Sequence, residues 1–118
     1  MSRIALVAGG LVAALALAAP IGATSSVTKL TGTVGPGFTI TLKKGTAKVK
    51  TLKPGSYKIT VSDKSNIHDF HLTGPGVNKM ITTISFKGTK TVTVKLKKGK
   101  YTYRCDPHPT MVGHFTVK

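Results

Sequence analysis

Short segments in which apolar and polar residues alternate fill the chain from Val27 onward, and Gly or Pro turns separate them. Alternation at every second position predicts strands with one buried face. The segments recur every eight to twelve residues or so, which is typical of a two-sheet β-sandwich. We therefore predict an all-β fold, a two-sheet antiparallel sandwich of seven or eight strands, near residues 27–34, 38–42, 47–52, 56–61, 81–86, 92–96, 101–105 and 115–117.

The first 23 residues have a different composition. Arg3 supplies an early positive charge, residues 4–19 are uncharged and mostly apolar, and Pro20-Ile21-Gly22-Ala23 follows. This three-part pattern predicts a secretory signal peptide. Because the apolar run is shorter than a usual membrane span, we favour cleavage near Ala23 over retention as an anchor. The predicted organisation is a signal peptide at 1–23 and one domain at 24–118, exported to the periplasm, the cell envelope or the extracellular space.

The C-terminal loop concentrates metal-binding chemistry. Cys105, His108 and Met111 place a thiolate, an imidazole and a thioether within seven positions. Soft sulfur suits Cu(I), imidazole suits both copper oxidation states, and two His, one Cys and a weak axial Met form the ligand set of mononuclear electron-transfer copper. These three residues are therefore candidate ligands for one type 1 copper ion.

A second His ligand has to come from elsewhere, and the segment 66–72 offers two candidates. His68 shares one face of this extended segment with Phe70 and Leu72, whereas Asp69 and His71 share the other. A His aligned with large apolar residues is expected to point inward. We therefore predict His68 as the fourth ligand and His71 as a surface residue. We expect His114 to be exposed to solvent.

The thiol of Cys105 is the only one in the chain, so no internal disulfide can form. Small exported domains usually use disulfides to compensate for a modest core. A lone exported thiol is also prone to oxidation unless it is occupied. A bound metal would explain the residue, and it would stabilise the folded state.

The predicted domain is strongly basic. It holds 17 of the 18 Lys and Arg residues, three Asp and no Glu. Many of the lysines alternate with Thr, Val and Leu, so they are expected on the solvent side of strands. They are interpreted either as a solvated face that discourages strand addition or as a surface that attracts an acidic redox partner or an anionic cell-envelope surface. Nucleic acid is not expected, because the lysines are not interleaved with aromatic residues.

The segment Tyr101–Gly113 has the pattern Y-x-Y-x-C-x-P-H-x-x-M-x-G, and with the upstream His68 it resembles the cupredoxins, the small blue copper proteins of the plastocyanin, amicyanin and pseudoazurin group. The resemblance implies a Greek-key β-sandwich and a monomeric one-electron carrier with a type 1 copper site made by His68, Cys105, His108 and Met111. One residue departs from the pattern. Asp69 stands where the family commonly has an Asn whose amide ties the two ligand loops together.

Two other functions use the same residues. A cell-envelope copper chaperone or scavenger would hold copper without passing electrons, and a polycationic envelope-binding module would carry the copper site incidentally. An enzyme is not expected, because a filled ligand shell leaves no position for a substrate. The chain also lacks the paired carboxylates of acid-base hydrolysis.

Overall fold

The structure is a computed structural model that describes residues 27–118, and this part of the chain contains ten strands and no helix. The strands are β1 Thr28–Val34, β2 Ile40–Lys44, β3 Ala47–Lys48, β4 Thr51–Leu52, β5 Gly55–Asp63, β6 Phe70–Gly74, β7 Val77–Thr82, β8 Gly88–Leu96, β9 Gly99–Arg104 and β10 Val112–Val117. Five strands form each sheet. The first sheet has the order β3-β2-β1-β5-β8, and the second has the order β4-β10-β9-β6-β7.

The core lies between the two sheets and is made by the alternating apolar residues. On β5, Tyr57, Ile59 and Val61 point inward and are buried, whereas the residues between them face solvent. Aromatic rings fill the second sheet: Phe70 stacks on Tyr103 with ring centroids 5.6 Å apart. The predicted all-β two-sheet sandwich is confirmed.

The antiparallel prediction is wrong for two strand pairs. β1 runs parallel to β5, with Leu30 opposite Ile59, and β4 runs parallel to β10, with Leu52 opposite Val117. Parallel neighbours need a crossover rather than a hairpin. Here the chain leaves the first sheet after β3 and returns to it at β5, with β4 in the second sheet between them. Each sheet therefore contains parallel and antiparallel pairs. The sequence analysis could not show this, because alternation within a single strand carries no information about which strands lie side by side.

The strand bounds also differ from the prediction. The segment 77–80, where no strand was predicted, is most of β7, and the strand predicted at 81–86 ends at Thr82. β7 is an edge strand of the second sheet, and its residues Asn78, Lys79 and Met80 are exposed. A strand with so few buried positions lacks the apolar alternation on which the prediction relied.

The predicted signal peptide at 1–23 lies outside the described residues. Within residues 27–118, no helix is long and apolar enough to cross a membrane.

Several strand ends meet at one end of the sandwich, which we call the site end. In the first sheet Val34 lies opposite Asp63, so β1 and β5 finish together. In the second sheet Arg104, the last residue of β9, lies opposite both His71 and Val112. The loops that follow β5 and β9 therefore emerge close together, and these loops carry His68 and Cys105.

Close packing between β9 and β10 supports the second of these loops, and it generates a prediction. Gly113 lies opposite Tyr103, and a methyl group on it would overlap the Tyr103 ring, which is stacked on Phe70. We expect Gly113→Ala to lower the free energy of unfolding by about 1–3 kcal/mol in urea denaturation. Gly37→Ala is the matched control, because no atom lies within 4 Å of its Cβ position. Equal losses in the two variants would contradict this packing.

Candidate metal centre

The C-terminal donors lie in a tight loop between β9 and β10. The His108 N–H donates to the Cys105 carbonyl (3.1 Å), the Met111 N–H donates to the His108 carbonyl (2.8 Å), and the Cys105 N–H donates to the Met111 carbonyl (3.0 Å). These three bonds close the loop on itself. The relative positions of the three residues are therefore fixed by backbone hydrogen bonds.

Three predicted ligands converge on one point. Sγ of Cys105 lies 3.6 Å from Nδ1 of His68 and 3.4 Å from Nδ1 of His108, and the two Nδ1 atoms are 3.1 Å apart. A point equidistant from these atoms lies about 2.0 Å from each, close to the roughly 2.0–2.3 Å that separates a metal ion from imidazole nitrogen and thiolate sulfur. Among the described residues, these form the one group of His, Cys or acidic side chains placed to hold a metal.

The centre is enclosed on all sides but one. His68 and Cys105 are fully buried, Met111 is 1% exposed, and His108 is half-buried. Burial raises the pKa of the Cys105 thiol, as does the nearby Asp69, although backbone N–H groups partly oppose the rise. The metal-free thiol therefore holds its proton at neutral pH. Because a metal takes the thiolate, binding must release that proton.

Met111 occupies the place predicted for the axial ligand in sequence and in burial. It is held between His108 and Cys105 by backbone hydrogen bonds, and its side chain is in the core. A thioether in this loop is suited to a weak, long contact with a soft ion. Its role as a fourth ligand stays a prediction.

Asp69 corrects the prediction made from strand alternation. The residue is 1% exposed rather than outward-facing, because His68 and Asp69 precede β6 and the register shifts between Phe70 and His71. Its Oδ1 accepts a hydrogen bond from the N–H of Asp106 at 2.7 Å, and its own N–H points at Sγ of Cys105 at 3.5 Å. Asp69 therefore makes the tie between the two ligand loops as an acceptor, which suits a carboxylate.

Phe38 belongs to the site, and the sequence analysis missed it. Its ring meets the rings of both His68 and His108 edge-on, with centroids 5.6 Å and 5.0 Å apart, and it is 66% exposed. The segment 38–42 was predicted as a strand, but β2 begins only at Ile40. The one available signal was an aromatic residue next to a Gly-Pro-Gly turn.

His71 and His114 lie outside the donor set. Nδ1 of His71 lies 2.9 Å from Oδ2 of Asp106, and its Nε2 lies 2.6 Å from Oδ1 of Asn78. Arg104 donates from Nε to Asp106 at 3.1 Å. His71 therefore lies on the outer side of β6, as predicted, and it is half-buried there in a polar network with Asp106 and Asn78. His114 is exposed as expected, with Nδ1 3.1 Å from Oγ1 of Thr102.

The fold and the donors together define the class. The chain has the cupredoxin fold, and the arrangement of His68, Cys105 and His108 is suited to a copper ion. Among solved structures it is similar to a methionine-to-glutamine mutant of rusticyanin, with a TM-score of 0.58, 20% identity and 80% of each chain covered. It is also similar to rusticyanin from Thiobacillus ferrooxidans, with a TM-score of 0.55 and 23% identity over 80% of this chain and 79% of that one. No protein-family model and no curated protein matches the sequence.

The network around His71 generates a pH prediction. Burial alone would lower the pKa of His71, but its contacts with Asn78 and Asp106 raise it above its usual value. A His with a raised pKa stabilises the fold fully below the unfolded-state pKa of about 6.5, and this contribution is lost as pH rises through the folded-state pKa. We expect His71→Gln to lower the free energy of unfolding more at about pH 5.5 than at about pH 8.5.

Urea denaturation of the reduced, metal-free chain measures this difference. His114→Gln is the control for removal of an exposed His. A loss in His71→Gln that is the same at both pH values would contradict the network.

Proposed function

We propose that the protein is an exported type 1 copper protein that carries one electron between redox partners. The observation that carries this proposal is the triangle of His68 Nδ1, Cys105 Sγ and His108 Nδ1, whose centre lies at metal-bonding distance from all three. Soft thiolate with two imidazoles selects copper among the common metals when the geometry is trigonal.

The site residues have distinct roles in this mechanism. His68, Cys105 and His108 would hold the ion, with Met111 as a weaker fourth ligand, and copper would supply the reversible one-electron chemistry. The Asp69 N–H points at the sulfur, where hydrogen bonding tunes the potential of such sites. The closed loop and the Asp69 tie hold the donors in one arrangement, so little has to move when the electron moves.

The electron would pass through the exposed side of the site. His108 is the one half-buried member of the donor triangle, and Phe38 and Val112 are large apolar residues exposed beside the ligand loop. An apolar contact around an exposed ligand edge allows a short electron path across a weak complex. The electron would therefore leave through His108 into a docked protein.

Charge favours an acidic docking face on that partner. Lys64 and Lys87 are exposed at the site end, where β5 ends and β8 begins. Of the three Asp residues, Asp63 and Asp69 are buried and Asp106 is paired with Arg104. Such a surface would steer an acidic partner to a fast, salt-sensitive encounter.

The burial of the donor residues favours an electron carrier over a copper chaperone. A protein that hands over its copper needs ligands that a partner can reach, yet His68 and Cys105 have no exposed surface. The enclosed triangle favours retention of the ion and exchange of electrons alone.

The first test is the visible and electron paramagnetic resonance spectrum of the reduced chain with one equivalent of Cu(II). We expect an intense blue band and a narrow copper hyperfine splitting, because the thiolate binds the ion directly. Cys105→Ser should lose both, whereas the control His114→Gln should keep them. Weakly coloured copper with wide splitting in the unmodified chain would contradict the proposal.

The charge of Asp69 generates a second prediction. A buried carboxylate beside the ligand loop favours Cu(II), so removing its charge should make the ion easier to reduce. We expect Asp69→Asn to raise the reduction potential by on the order of 50 mV at neutral pH, as one partly screened charge a few ångströms away would. The amide oxygen can still accept the Asp106 N–H, so the blue band should persist. An unchanged reduction potential, measured by redox titration, would show that the charge of Asp69 does not tune the site.

A further inference from the structure

The outer face of the first sheet has an unusual composition. Every outward-facing position on β1, β2, β3, β5 and β8 is a Lys, a Thr or a Ser, so the face carries no apolar and no acidic side chain. Outer faces of sheets usually mix both signs of charge. This face offers only ammonium groups and hydroxyls over five neighbouring strands.

The lysines of this face form a continuous row, which we call the lysine band: Lys48, Lys43, Lys29, Lys58 and Lys95, one from each strand in spatial order. Lys48 lies opposite Lys43, and Lys29 lies opposite Lys58. The remaining steps are diagonal, because Lys43 lies opposite Thr31 and Lys95 lies opposite Ser56, each two residues from the next lysine. The band crosses the whole sheet, a span of about 19 Å at the usual strand spacing.

This arrangement works against stability. Like charges directly opposite each other on neighbouring strands repel, and the face has no carboxylate to offset them. Lysine often protects the edges of sheets from strand addition, but Lys29 and Lys58 are on the interior strands β1 and β5. Edge protection therefore does not account for the opposed pair at the centre of the band. A bound polyanion would relieve the repulsion.

The surroundings of the band indicate the kind of anion. Thr and Ser hydroxyls flank each lysine, and hydroxyls both donate and accept hydrogen bonds, which suits sugar hydroxyls. The face has no aromatic ring for stacking nucleic-acid bases and no apolar side chain for insertion into a lipid surface. Charges about five to eight ångströms apart along a line suit regularly spaced acidic groups on an extended chain.

We propose that the outer face of the first sheet binds an acidic polysaccharide, with carboxylates on the lysine band and sugar hydroxyls on the flanking Thr and Ser residues. Lys29 and Lys58 each lie five residues before the site end of their strands, about 17 Å away. A polymer on this face would leave the exposed edge of His108 free. The protein would then be held in an envelope matrix while its metal centre stays open to partners.

Binding of the full chain to immobilised polygalacturonate tests the proposal. We expect Lys29→Gln, Lys58→Gln and Lys95→Gln together to weaken binding about tenfold or more. The matched control is Lys79→Gln, Lys98→Gln and Lys100→Gln, which removes the same charge from exposed lysines off this face and should change binding less than about twofold. Urea denaturation of both triple variants checks that each one folds.

A second pair of substitutions tests recognition of the sugar. Thr31→Val with Thr93→Val keeps the shape and removes two hydroxyls, and we expect about threefold weaker binding to polygalacturonate with no change for inorganic polyphosphate. Equal losses in the two lysine triples would overturn the proposal, as would unchanged binding in the threonine variant. Tighter binding to polyphosphate or to anionic lipid vesicles would also overturn it. Binding to polygalacturonate should survive Cys105→Ser. The result of this test is therefore independent of whether the protein binds copper.

Discussion

The buried carboxylate of Asp69 joins the two loops on which the metal centre depends. Its side chain accepts the N–H of Asp106 in one loop, while its own N–H, next to His68 in the other, points at the Cys105 sulfur. A buried polar group without partners would cost about 1–3 kcal/mol, so the tie persists only while both loops stay in place. The three donor atoms are close together because the loops are held in this way. A frame set before the metal arrives limits how far the ligands can move when the ion changes its charge.

The residue types of the metal donors were a better guide to the site than apolar–polar alternation was to the strand order. Cys105, His108 and Met111 stand in one short loop, where local backbone bonds decide their positions, and His68 is followed by buried apolar residues. The convergence of His68, Cys105 and His108 could therefore be expected. The parallel pairing of β1 with β5 could not, because alternation shows which face of a strand is buried and not which strand lies beside it.

The roles of Asp69 and Phe38 at the site could not be predicted from the sequence, because both depend on tertiary structure. Asp69 was assigned to the outer face by alternation, but it precedes β6 and is buried against the ligand loop. Phe38 is more than 25 residues from the nearest donor in sequence, and only the folding of the first sheet against the site end brings its ring to His68 and His108. Charge is separated along the first sheet as well: the three Asp residues lie at the site end, whereas Lys29 and Lys58 of the lysine band lie about 17 Å from it.

We propose that the folded chain holds three donors in place for a copper ion and keeps them there in both oxidation states. Crystal structures of the metal-free, Cu(I) and Cu(II) forms test it most directly. We expect His68 Nδ1, Cys105 Sγ and His108 Nδ1 to bind the ion in both copper forms and to differ in position by less than about 0.5 Å among the three structures. A copper ion bound without Cys105, or a His ligand that swings away on reduction, would contradict it.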